Sequence, residues 1–257
     1  MGHLLYSSDD ELMTHDQIKL LEPPEQLGRF HHPYPFDNYI TDVKDAMKLE
    51  NLTILNEEFA TANNHSSLFG VMEIQPQEGE FISADDWSLL VGLRGSHNST
   101  IARGLVIGSR IMVCSNLCFS GTISLNTKQT TNVEDRIHRM IRESVKRIPD
   151  MAVVQQKKFD RYKDFDIKAR TGDAMMVELF RRGAMTAQQL AVAVREWDEP
   201  SFEDHNQYKN TVYGLFNSCT QALKPNGVNH NPSLAADRSI KVAQLMDEVA
   251  KVEDIAA

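Results

Sequence analysis

The sequence predicts an α+β protein, with a mainly antiparallel sheet over about residues 52–125 followed by a helical C-terminal region. Two observations predict it. Short apolar runs separated by turn-forming clusters fill the middle of the chain, whereas beyond Asn126 apolar residues recur every three or four positions. A third observation concerns size: 257 residues, 41% of them hydrophobic, with only 13 Gly and 9 Pro, can bury a substantial core and are neither disordered nor repetitive.

Taken in order, residues 1–36 read as a proline-rich arm. It holds a short helix near Asp9 to Leu21, then Glu22-Pro23-Pro24-Glu25 and His31-His32-Pro33-Tyr34-Pro35, where the prolines favour extended backbone. Asp37 can cap a helix ending near Glu50, because Ile40, Val43 and Met47 share one face. Five or six strands are expected from the runs 52–55, 68–74, 87–93, 105–107, 110–114 and 122–125, since Gly, Asn, Ser, Pro or Asp clusters separate them. Ile137, Met140, Ile141, Val145 and Ile148 then follow a helical repeat that Phe159, Tyr162 and Phe165 extend beyond a break near Pro149. Further helices are expected at 173–182, 186–197, 205–223 and 233–252. The expected organisation is an arm (1–36), a helix plus sheet (37–126) and a helical region packed on the sheet (127–257), forming one compact domain. The long stripe over 132–167 is expected to protrude and to join copies of the chain into a homo-oligomer.

Charge is distributed unevenly. The formal total is −9, yet residues 1–90 hold 17 acids and 4 bases, 91–126 hold three arginines and no acid, and 127–170 hold 7 acids and 12 bases. A central block of net +8 fits a polyanion, because each cation that neutralises a phosphate releases counterions. The same asymmetry would arise if the acidic and basic segments paired within the fold or between subunits.

Several chemistries are excluded. No Gly is followed by Lys, which removes a Walker A phosphate loop, and G-x-G-x-x-G, H-E-x-x-H and C-x-x-C are all missing. Cys114, Cys118 and Cys219 are an odd number in a chain too long to need staples, so they are expected as reduced core thiols. His31, His32, Asp37 and His97 are scattered metal-ligand types, and no metal or cofactor is expected from them. The longest uncharged stretch carries Ser, Asn, Thr and Gly, so no membrane helix is expected. The first ten residues lack a basic stretch before an apolar one, and a cytoplasmic location in a bacterial host cell is expected.

The segment 91–126 holds the candidate site. Arg94, Arg103 and Arg110 stand among Ser96, His97, Asn98 and Asn116, a set whose guanidinium forks and short polar side chains suit phosphate oxygens and base edges. Arg136, Arg139, Arg142, Lys146 and Arg147 would add backbone attraction. The structural alternative is that Asn and Ser shape turns while the arginines pair with the acidic third.

At these residues the chain resembles a known family. Residues 91–98 (VGLRGSHN), 108–116 (GSRIMVCSN) and 119–121 (FSG) are similar to the central signature of the phage/plasmid-like proteins grouped as domain of unknown function 932. Gly95 stands where that signature usually has Asn, and Ser99 where a Lys or other polar residue is common. Softer likenesses run through His32-Pro33-Tyr34-Pro35, 69–73 and 213–220 with Lys224. The resemblance implies a bacteriophage or plasmid protein with no enzymatic activity to carry over.

The leading expectation is therefore a non-enzymatic, nucleic-acid-associated protein of a mobile element, binding single-stranded DNA in replication or recombination through the twelve residues named above. Two other readings stand beside it. One is a factor that binds a host or defence protein through an acidic face including Glu57, Glu58, Glu78 and Glu80; the other is an enzyme whose Arg94, His97, Asn98, Arg110 and Asn116 converge in one pocket. Asp247, Glu248, Glu253 and Asp254 could also form an acidic tail that recruits a partner.

Overall fold

A computed structural model describes residues 11–22, 24–77, 87–111, 116–128, 130–223 and 232–252, with the side chains of 110, 111, 116–125 and 232–236 left aside. The chain divides into two compact units. The first comprises Met1–Ser83, Ser88–Gly108 and Gly121–Asp150, the second Ala84–Trp87, Ser109–Ser120 and Met151–Ala257.

The architecture is α+β. A six-stranded antiparallel sheet runs in sequence order, β1 (Glu11–Met13), β2 (Leu52–Ala62), β3 (Ser67–Pro76), β4 (Trp87–Ser96), β5 (Arg103–Ile111) and β6 (Asn116–Thr127). Each strand lies beside its neighbour in the chain, as short connections dictate. The β2–β3 turn is made by Asn63, Asn64 and His65, all at positive φ, and Ser66 N–H donates to the Asn63 carbonyl at 3.1 Å. Asn and His tolerate that region better than most residues, which is why this polar cluster reverses the chain.

Two details of the sheet differ from the sequence reading. The expected helix near 9–21 is instead β1 followed by one turn, α1 (His15–Ile18), closed by a capping box in which Thr14 and Gln17 bond reciprocally. The runs 105–107 and 110–114 belong to a single strand as far as Ile111, because Gly108-Ser109 continues it rather than breaking it.

Helix α2 (Phe36–Leu49) buries Phe36, Tyr39, Ile40, Val43 and Met47. Its N-cap is Pro35, not Asp37; Asp37 sits in the first turn, its carboxylate 2.8 Å from His15 Nε2. Helix α3 (Val133–Val145) packs on α2 through Val133, Ile137, Met140, Ile141 and Val145. Beyond it the repeat breaks at Lys146–Arg147, and α4 (Ile148–Asp164) begins with Pro149 in its first turn, where a missing N–H costs nothing. The apolar residues of the stripe expected to protrude are thus largely buried by the chain itself.

The second unit is helical, with α5 (Ala169–Arg181), α6 (Ala187–Asp198), a 3₁₀ turn (Glu203–Tyr208), α7 (Val212–Ala222) and α8 (Pro232–Ala250). The single helix expected over 205–223 is split by Lys209, Asn210 and Thr211, and Thr211 Oγ1 accepts from Gly214 N–H as the α7 N-cap. At Gly214 a Cβ would stand 2.3 Å from the Tyr208 carbonyl oxygen, so only glycine lets the 3₁₀ turn lie against α7. The core gathers around Phe159, whose ring lies 5.4 Å from Trp87, 5.5 Å from Tyr213 and 5.7 Å from Phe216. The acidic end is tied down as far as it is described. Asp247 pairs with Lys158 at 2.7 Å and Glu248 with Arg182 at 2.9 Å; Glu253 and Asp254 lie outside the described residues.

Candidate nucleic-acid interface

The expected site residues separate into three groups. The first forms the β4–β5 turn. Ser96 is fully buried, its Oγ accepting from Ile101 N–H at 2.8 Å, while the Asn98 Oδ1 accepts from Thr100 N–H at 3.2 Å and from the Thr100 hydroxyl at 2.6 Å. Ser99 follows at φ 62. These short polar side chains hold the reversal together, as the structural alternative anticipated.

The second group comprises the strand arginines and His97, of which His97 and Arg103 meet at Phe36 while Arg94 lies apart. A Cβ on Gly95 would stand 2.5 Å from Arg103 Cδ, whereas one on Gly104 would meet Asn126 Oδ1 at 2.3 Å and Arg94 Nε at 3.3 Å. Adjacent strand residues point to opposite faces, so Arg94 and Arg103 lie on opposite sides of the sheet. Arg94 is half-buried, and its Nη2 donates to Asn126 Oδ1 at 3.2 Å. Arg103 is fully buried on the face covered by α2. Its guanidinium carbon lies 4.3 Å from the Phe36 ring centroid and 5.6 Å from that of Tyr39, and Nη2 donates to the Tyr34 carbonyl. Nε and Nη1 have no acceptor, and burial pulls the guanidinium down to about 10.

His97 stacks on the other aromatic partner of Arg103, with its ring centroid 3.7 Å from that of Phe36. Burial, the nearby Arg103 charge and His31 push its imidazole down to about 3, against a backbone hydrogen bond to Tyr34 that favours the proton. His97 is therefore a neutral packing residue. The pocket imagined from Arg94, His97 and Arg110 is not formed by Arg94 and His97, and the side chains of Arg110 and Asn116 lie outside the described residues, as do those of Cys114 and Cys118.

The third group does face solvent. Arg139, Arg142, Lys146 and Arg147 are exposed along α3 and just past its end, and none pairs with a carboxylate among the described residues. Spacings of three and four keep Arg139, Arg142 and Lys146 on the side opposite the buried Ile137, Met140 and Ile141, and Arg147 follows past the helix end. Arg136 is committed to the loop that enters the helix, its Nη2 donating to the Lys128 carbonyl at 3.0 Å and to Thr130 Oγ1 at 2.6 Å.

Beside these cations lies a cluster that the sequence reading missed. The Tyr34 hydroxyl donates to Asp42, and His138 Nε2 sits 3.1 Å from the same carboxylate oxygen and 3.3 Å from the Tyr34 hydroxyl. The arm, α2 and α3 are joined there. Its sequence signal was the position of His138, between the buried and exposed faces of an otherwise regular stripe. The partners come from residues 104 and 96 positions away, which no local pattern pairs.

The acidic face of the rival reading is only partly available. Glu57 accepts from Lys44 Nζ at 2.7 Å, Glu58 is half-buried, and Glu78 and Glu80 lie outside the described residues. Among the described residues no three His, Cys, Asp or Glu side chains are grouped to hold a metal ion, and no helix is long and apolar enough to cross a membrane. Compared with family models, with curated proteins and with solved structures, the chain matches none.

Proposed function

We propose that the chain is a non-enzymatic nucleic-acid-binding protein of a bacteriophage or plasmid, acting in replication or recombination, and that α3 carries its contact surface. One observation carries this reading: Arg139, Arg142, Lys146 and Arg147 stand exposed without carboxylate partners among the described residues. Exposed cations grouped on and just past one helix are a local electrostatic footprint for phosphates. The likeness of 91–98 and 108–121 to phage/plasmid-like proteins supports the setting. The contact set is narrower than the twelve residues first considered, because Ser96, His97 and Arg103 serve the fold.

Fluorescence anisotropy with labelled single-stranded and duplex oligonucleotides at several salt concentrations tests the reading. Affinity is expected to fall steeply with salt. Replacing Arg139, Arg142 and Arg147 by Gln together with Lys146→Gln should reduce the slope of log K against log salt by roughly 3 on single strands, since each phosphate contact contributes about 0.7. No binding by the native chain at ~50 mM salt overturns the proposal, because a phosphate-dominated binder is tight there.

A further inference from the structure

We infer that the arm turn bearing Arg29 and Phe30 is a base-stacking platform, and that with the basic side of α3 it makes a composite site for single-stranded nucleic acid. This deepens the reading above and rests on it for the phosphate contacts. The inference begins with an aromatic ring in water. Phe30 is 69% exposed, and the Arg29 guanidinium lies 5.6 Å from its centroid. A base can stack on an aromatic face whatever its identity, and a neighbouring guanidinium adds a cation–π partner and a phosphate donor.

The platform is built rather than slack. Gly28 takes φ 148, a conformation that side chains rarely adopt, and His31 N–H donates back to the Gly28 carbonyl at 3.1 Å. Leu27 N–H donates to His31 Nδ1 at 3.0 Å, and Gln26 Nε2 donates to the Gly28 carbonyl at 2.9 Å. Three hydrogen bonds within six residues therefore fix the turn that carries Phe30 before any ligand arrives, which lowers the ordering cost of binding.

The platform is also tethered to the cations. Four residues after Phe30, Tyr34 reaches His138 on α3 at 3.3 Å, with the two rings edge to face at 6.3 Å. Four residues span at most about 14 Å, so the ring and the free side of α3 lie within a few nucleotides of one another. Arg139 and Arg142 follow His138 directly and one turn later. Glu22 and Glu25 precede the turn, and no acid stands between Arg29 and Asp37. This geometry selects single strands, because a duplex hides its base faces inside the stack and presents only phosphates.

Anisotropy of the full chain with a labelled oligothymidine of about twenty nucleotides, and with a hairpin duplex, at ~50 mM salt tests the inference. Phe30→Ala should weaken the single strand on the order of tenfold and leave the duplex unchanged. Phe30→Trp should keep native affinity, and its emission should be quenched as oligothymidine is added. Because the ring is exposed, neither change disturbs the core. Equal affinities of the native chain and Phe30→Ala for the single strand overturn the inference alone, as does an equal loss on both nucleic acids. If Phe30→Ala instead abolishes self-association without altering oligothymidine binding, the ring belongs to a contact between copies and the inference falls. Absence of binding to either form by the native chain removes the proposed function together with it.

Discussion

His97 shows how a residue that looks catalytic in one dimension becomes a packing element in three. Stacked on Phe36 and facing Arg103, His31 and the Tyr34 carbonyl, its imidazole is held down to about 3. The unfolded chain takes up a proton near pH 6.5, and the folded chain refuses it until far lower pH. The stability that this site contributes is thus complete above about 6.5 and declines as pH falls toward about 3. His97→Phe, which keeps an aromatic ring but cannot titrate, should lose less stability than the native chain between pH 7 and pH 4, measured by urea unfolding at each pH. An equal loss in both proteins would mean that the imidazole is not the titrating group. Charge and residue type at 94, 97 and 103 were legible in the sequence. Their directions were not: alternation says that neighbours diverge, but only the arrival of α2 decides which side becomes interior.

Among the elements, α8 owes its register to three side chains of α4. Lys158 pairs with Asp247, Arg161 Nε donates to the Ala250 carbonyl at 2.9 Å, and the Tyr162 hydroxyl lies 2.6 Å from Asp247 Oδ1 and 3.1 Å from the Ala243 carbonyl. Spacings of three, four and one put all of them on one side of α4. Burial and the Asp247 carboxylate push the Tyr162 phenol well above its ordinary value, so it stays a donor at any working pH. Tyr162→Phe removes a buried hydrogen bond to a charged group and should cost roughly 1.5–3 kcal/mol of stability by urea unfolding. It should also speed amide exchange at the end of α8 more than in α7; uniform exchange across both helices would argue against this anchoring role. Long periodic helices such as α2, α6 and α8 could be read from the sequence to within a residue or two. The misread elements were short or punctuated. Glu11-Leu12-Met13 shows no alternation, Gly108-Ser109 imitates a turn while Ser109 is fully buried, and the 3₁₀ turn has too few residues to show a period.

For the whole molecule, the question raised by the charge count has a divided answer. Within the central block Arg94 and Arg103 are taken up by the fold, whereas Arg139, Arg142, Lys146 and Arg147 face solvent. The surviving footprint is small beside a total of −9, and salt should reveal both. At 0.15 M the screening length is about 8 Å and a phosphate senses chiefly α3; at 0.01 M it is about 30 Å and the acidic remainder of the chain is felt as well. The plot of log K against log salt is accordingly expected to flatten below about 0.02 M. A straight line down to that concentration would mean that the acidic side chains lie too far from the bound strand to repel it. The basic helix was visible in the sequence as composition. The platform at Phe30 was not, because an aromatic residue beside Arg in a proline-flanked arm reads as a core residue until its exposure is known.

The sequential order of the sheet leaves one further trace, at its β1 border. Three residues of β1 cover only Phe59, Ala60 and Thr61 of an eleven-residue strand. The earlier stretch of β2 is interrupted by a bulge between Ile54 and Asn56, where Leu55 is 54% exposed, and then carries Glu57 and Glu58. A bulge spoils the repeat that an incoming strand would have to match. An edge shaped in this way disfavours pairing with the sheet of a second copy.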